Sequence, residues 1–132
     1  MKLENQSDFY LLYKPNSWTS QDLCTFFKKK YNFKKVGHSG TLDPSAEGLM
    51  LIATNKYTKL FDYIDNTHKT YEFEALFGFE SETNDTDSEL VEIESINLES
   101  KLEELDKGIS ELTGNIKPVS YTHLRAHETK KH

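Results

Sequence analysis

The sequence predicts an α+β fold, with a mixed sheet and flanking helices. Two observations carry that expectation. Apolar residues alternate in some stretches and recur at three- or four-residue spacing in others. The two kinds of stretch follow one another without a regular strand–helix–strand repeat, and no internal repeat is visible. In chain order, residues 9–13 read as a short strand. Lys14-Pro15 ends it, because proline has no N–H to give to a ladder. Thr19-x-x-Asp22 has the pattern of a capping box. Leu23, Phe26 and Phe27, with Lys28, Lys29 and Lys30 beyond them, predict an amphipathic helix over 20–30. Residues 48–53 are a short apolar strand. Tyr57, Leu60, Phe61 and Ile64 recur at helical spacing and predict a helix over 55–64. Tyr71, Phe73, Ala75 and Phe77 alternate and predict a strand over 70–77. Residues 81–88 are polar and acidic and read as a loop. Leu98, Leu102, Leu105, Ile109 and Leu112 make the cleanest helical stripe, and Gly114 stops it.

A chain of 132 residues suffices for one domain with a modest core. Hydrophobic residues at 36% and charged residues at 29% exclude a disordered or membrane-embedded class. The first seven residues are polar and lack the apolar segment of a signal peptide, so the expected location is the cytoplasm. Cys24 is the only cysteine, which excludes an intrachain disulfide and suggests no zinc cluster. Beside Phe26 and Phe27 it reads as a buried, inert thiol. The net charge is −6, but its distribution is uneven. Between Lys14 and Lys59 eight lysines face three acids, a local charge of +5. Between Glu80 and Glu111 twelve acids face two lysines, a local charge of −10. These are either two solvated faces or a basic region suited to phosphate beside an acidic one.

The densest signal is Gly37-His38-Ser39-Gly40-Thr41-Leu42-Asp43-Pro44, continued by Ser45-Ala46-Glu47-Gly48-Leu49-Met50. Gly37 and Gly40 permit backbone conformations closed to other residues, and Pro44 pushes Asp43 away from the α region. A loop so constrained holds the Asp43 carboxylate in one direction, as a nucleophile or general base requires. The alternative is a tight turn in which Asp43 bonds its own backbone. In His38 the candidates are a base-stacking imidazole and a turn histidine bonded to backbone. In Tyr71 they are a substrate contact and a core residue, and the two are compatible.

This run resembles the catalytic loop of the TruB family, bacterial tRNA pseudouridine synthases acting on the TΨC loop. The family pattern is approximately GH-x-GTLDP-x-A-x-G-x-L, with Met50 as the apolar substitute at its end. Lys14-Pro15-Asn16-Ser17-Trp18-Thr19-Ser20 resembles the family's KP-x-G-x-TS segment, with Ser17 where glycine is usual. Lys69-Thr70-Tyr71 is similar to its K-x-Y segment, and the stretch from Phe77-Gly78 to Asp85 to its LG-x-x-TDT-x-D segment. The resemblance implies a pseudouridine-synthase catalytic domain, of which 1–117 is the N-terminal part. It makes Asp43 the catalytic aspartate, His38 and Tyr71 substrate contacts, and Lys14 and Pro15 braces of the loop. Lys28, Lys29, Lys34 and Lys35 become candidates for RNA backbone contacts. The implied partner is the TΨC stem-loop of tRNA, with no cofactor, no metal and no obligate protein partner. Two alternatives stay open: a non-catalytic RNA-binding fragment, and a guide-RNA-dependent relative acting on rRNA.

Residues 118–132 change composition abruptly. They hold three of the five histidines and the only arginine, Arg125, and have no periodicity. VSYTHLRAHET resembles translated adapter sequence, and the expectation is a non-native, disordered tail. A metal site at His123, His127 and His132 is the sharper alternative. In the family, further strands, a lysine-glycine segment, an active-site arginine and a small RNA-binding domain follow the region matched here. An exposed apolar edge is therefore expected at 70–77 or 48–53.

Overall fold

A computed structural model describes residues 3–64 and 68–117. The chain divides into two compact units, Met1–Glu74 and Ala75–His132. The expected non-native tail and its histidines lie outside the described residues.

The first unit is a three-stranded antiparallel sheet under one helix. Its strands are β1 (Phe9–Lys14), β2 (Val36–Ser39) and β3 (Gly48–Thr54), in the order β1-β3-β2. Tyr10 stands opposite Ile52 and Leu12 opposite Met50, so one face of the central strand β3 is apolar along its length. Helix α1 (Ser20–Tyr31) covers that face with Leu23, Cys24 and Phe27, and Phe33 follows it into the same core. Phe27 is the hub: its ring lies 5.0 Å from Tyr10 and 5.1 Å from both Tyr31 and Phe33. Each large side chain so buried contributes about 1.5–3 kcal/mol.

The helix starts where the sequence places it. Thr19 Oγ1 accepts from the Asp22 N–H at 2.9 Å, and Asp22 Oδ2 accepts from the Thr19 N–H at 2.9 Å. It ends at Asn32, which adopts a left-handed conformation with φ 59°. Lys28, Lys29 and Lys30 fill its last turn, where cations favour the negative end of the helix dipole. Phe26, one of the residues expected inside, lies half in water, edge-on to Trp18 at 5.5 Å.

Three expectations need correction. The glycines of the motif predict a loop from residue 37 onward, but residues 37–39 belong to β2 and pair with β3. The expected helix over 55–64 is a 3₁₀ helix, Asn55–Tyr63, entered from a left-handed Asn55. Residues 70–77 form no strand. An alternating pattern selects a face, but a strand also needs a ladder, and no described strand pairs with this segment. Tyr71 is 63% and Phe73 82% exposed. Apolar exposure falls at 70–77 and also at Leu49, 68% exposed, although 48–53 is the paired centre of the sheet and not an edge.

The second unit holds a minimal hairpin, β4 (Phe79–Glu80) with β5 (Val91–Glu92), and helix α2 (Leu102–Glu111) after a 3₁₀ turn at Leu98–Lys101. Gly78, at φ +90°, opens the hairpin. Its carbonyl accepts from the Ile93 N–H at 2.8 Å, and a Cβ there would run into the Glu94 carbonyl. The acidic loop 81–88 is closed by Asp85, whose carboxylate accepts from the Thr83 hydroxyl and from the Asp87 N–H. The Thr83 bond first, and then the backbone bond, hold the Asp85 carboxyl below its ordinary pKa. Every pairing among the described strands is antiparallel.

Candidate active site

Strand β2 delivers the motif to its loop. Gly40 follows at φ +84°, and Gly48 starts β3 at φ +150°, so the loop is bounded by two backbone conformations that favour glycine. Between them the Asp43 carbonyl accepts from the Ala46 N–H at 2.9 Å and closes a turn around Pro44-Ser45.

Four residues from the preceding segment clamp this turn. The Lys14 ammonium is fully buried, and it donates to the carbonyls of Pro15 at 3.0 Å, Trp18, and Pro44 at 3.3 Å. An ammonium has three protons, and three carbonyls receive them. Pro15 itself adds a carbonyl to that set. Ser17, held at φ 70°, donates its N–H to the Pro44 carbonyl at 2.7 Å. Asn16 Nδ2 donates to the Ser45 carbonyl at 3.2 Å. The buried Ser20 hydroxyl donates to the Leu42 carbonyl at 3.1 Å and accepts from the Leu42 N–H at 2.9 Å. The backbone on both sides of Asp43 is therefore fixed. The Asp43 side chain is exposed, and its carboxylate has no partner among the described residues.

A cleft of about 300 Å³ lies beside the loop on the sheet face away from α1. Ser39, Thr41, Leu42, Leu49, Lys69 and Tyr71 are among its walls. Tyr71 thus meets the loop that carries Asp43, although Asp43 is not itself a wall. His38 sits elsewhere. It pairs opposite Ile52, on the helix-covered face, and its Nδ1 bonds the Gly40 carbonyl. Lys28 and Lys29 belong to the end of α1, whereas Lys34 and Lys35 line a second cleft. Sequence reasoning did not single out Asn16, Ser20 or Lys69 for this site. The Lys69 ammonium reaches within 3.3 Å of the point where a Gly40 Cβ would stand. Tyr13, on the same open face, donates to Glu47 Oε2 at 2.7 Å, and that bond raises its pKa above the ordinary phenol value. Burial pushes the Cys24 thiol up to about 11, as expected of an inert core cysteine.

Residues 28–123 match the sequence pattern of the TruB family pseudouridylate synthase (N terminal domain). The chain belongs to the TruB family. It is 36% identical over 116 residues to the tRNA pseudouridine synthase B of Lactococcus lactis, covering 88% of this chain and 35% of that protein. To its Mycoplasma mobile counterpart it is 41% identical over 109 residues, covering 83% and 38%. To that of Caldanaerobacter subterraneus it is 39% identical over 106 residues, covering 80% and 37%. The chain thus spans little more than a third of the length of these TruB relatives. Among the described residues no helix is long and apolar enough to cross a membrane, and no His, Cys, Asp and Glu residues group as metal ligands.

Proposed function

We propose that this chain supplies the catalytic loop of a tRNA pseudouridine synthase, with Asp43 as its catalytic carboxylate and a uridine of the TΨC loop as substrate. The observation that carries the reading is the clamp: a backbone fixed from both sides, presenting one exposed carboxylate without a partner. The isomerisation breaks the bond from ribose C1′ to base N1 and forms one from C1′ to C5. The C5 proton leaves and N1 gains one, so no electrons enter or leave. A carboxylate that opens this sequence must be held in place and unneutralised. Tyr71 offers its ring as a wall for the base, which must leave its stack to react. Lys14, Asn16, Ser17 and Ser20 act through the loop, as positioning residues. In this reading His38 orders the strand end through its bond to Gly40, and a tRNA substrate implies a cytoplasmic location.

A second reading, RNA binding without turnover, draws on the 63% exposure of Tyr71, since a base against so open a ring is not shielded from water. One assay separates the two. A chimera is built in which residues 1–117 replace the matching part of the Lactococcus lactis relative, and pseudouridine is counted in a TΨC hairpin. Turnover by the chimera, with a loss of at least about a thousandfold in Asp43→Asn and unchanged hairpin affinity, is the expected result. Equal turnover by Asp43→Asn removes Asp43 from the chemistry. No turnover with retained affinity favours the second reading.

A further inference from the structure

We propose that the cleft between Lys34-Lys35 and the start of the 3₁₀ helix Asn55–Tyr63 is a contact site for RNA backbone phosphates, organised by Asn55. The proposal rests on the tRNA reading above and names which lysines serve it. The cleft encloses about 270 Å³ and is lined by Lys34, Lys35, Lys56 and Lys59. Their ammonium groups have no ion-pair partner among the described residues. One carboxylate, Glu4, also lines the cleft, and Asn32 Nδ2 donates to it at 2.9 Å. Four free cations thus converge in a chain whose net charge is −6.

Asn55 holds the lysine-bearing segments together. Its Oδ1 accepts the N–H groups of both Lys34 and Lys35 at 3.1 Å, and its own N–H donates to the Lys35 carbonyl at 2.8 Å. Its Nδ2 donates to the Glu4 carbonyl at 2.8 Å and to the Gln6 carbonyl. Its φ of 49° is one that asparagine tolerates better than most residues. The Lys56 N–H is tied in turn to the Ser7 hydroxyl at 3.1 Å. The four stems therefore start from fixed backbone, and little ordering cost remains for a polyanion to meet.

The walls carry no large apolar side chain, so nothing there anchors a hydrophobic peptide segment. Clustered ammonium groups on a polar surface fit a row of phosphates. Lys28, Lys29 and Lys30 fit it less well. They neutralise the negative end of α1, and the Lys30 ammonium sits over the rings of Phe26 at 5.6 Å and Tyr31 at 5.8 Å.

The test measures affinity of the 132-residue chain for a TΨC hairpin and an unrelated hairpin across a salt series. Replacing Lys34, Lys35, Lys56 and Lys59 by alanine should flatten the log–log salt slope by about three units, at roughly 0.7–0.9 per phosphate contact. Replacing all four by arginine should keep the slope. Replacing Lys28, Lys29 and Lys30 by alanine should change it by less than one unit. Circular dichroism confirms that each variant is folded. An unchanged slope in the alanine quadruple variant, an equal flattening in the α1 triple variant, or no RNA binding by the parent chain at low salt overturns the site. Displacement of RNA by polyglutamate at equal charge concentration overturns its assignment to nucleic acid. Lysine-dependent binding that is equal for both hairpins supports the site and counts against the tRNA reading. An unchanged slope together with a preference for the TΨC hairpin in the alanine quadruple variant sinks the site and leaves that reading standing.

Discussion

Residues 3–64 and residues 75–117 use the same kinds of apolar pattern with opposite results. In the first stretch, Tyr10 and Leu12 alternate on β1, Leu23 and Phe27 lie a turn apart on α1, and the two patterns meet over Met50 and Ile52. In the second, Leu98, Leu102, Ile109 and Leu112 make a stripe at least as regular, and all four are exposed. Helix α2 contributes no buried residue. A stripe directs a face, but stability comes from a second surface that closes on it. Helix α1 has that surface in the sheet, where a long central strand pairs on both sides. The described part of the second unit offers a hairpin of two residues per strand.

The sharpest way to break this comparison is to truncate one isoleucine in each region. Ile52 is wholly buried in β3, and Ile52→Ala should cost about 3–4 kcal/mol in denaturant unfolding, the lost transfer energy plus a cavity. Ile109 is 55% exposed, and Ile109→Ala should change stability by less than about 0.5 kcal/mol. Equal costs would mean that α2 finds a covering surface in solution.

Next in size is Gly78. If the second unit is ordered by backbone geometry, Gly78→Ala should strip the hairpin of protection while leaving the first unit intact. It forces a side chain into φ +90° and against the Glu94 carbonyl, a local cost of about 1–3 kcal/mol. Amide exchange reads this directly: the Ile93 amide should speed up by at least tenfold, with the β1–β3 amides unchanged. Protection of Ile93 that persists would show the hairpin held by something other than this turn.

The smallest effect sharpens the account of the first unit. Ser17 is held at φ 70° by the loop clamp, where glycine carries no steric cost. Ser17→Gly relieves about 1–2 kcal/mol of that conformation and gives back about 0.5–1 kcal/mol in unfolded-state entropy. The expected net gain is about 0.5–1 kcal/mol by thermal unfolding. A loss would mean that the Ser17 hydroxyl, bonded to Asn16 Oδ1 at 2.9 Å, matters more than the backbone strain.

Legibility followed the same division. The capping box at Thr19, the strands around Leu11 and Met50 and the inert Cys24 were readable because each depends on neighbours close in sequence or on a simple period. The Asp43 loop was readable from its glycines and proline. The partners that fix it were readable only in part. Lys14 stood out within a segment resembling the family, while Asn16 acts through one hydrogen bond across 29 residues and Ser20 through two across 22, which no period encodes. Strand β2 was hidden because Gly37 and Gly40 argue for a loop, although Gly37 tolerates a strand conformation and packs near Thr58 and Phe61. The segment at 70–77 misled because its alternation is real and its ladder partner is missing from the described residues. Asn55 was overlooked because an asparagine between a strand and a helix looks like ordinary punctuation.

Cys24 gives the first unit a built-in clock. It is the sole thiol in the chain, packed among Leu23, Phe27 and Ile52, and its proton is held until about pH 11. While the thiol stays buried, only about one in a thousand is ionised at pH 8, and opening the scaffold removes the burial that holds the proton. Alkylation of the intact protein must therefore wait for the sheet and helix to part. The labelling half-life then measures how often the scaffold behind the Asp43 loop opens, and no engineered probe is needed to read it.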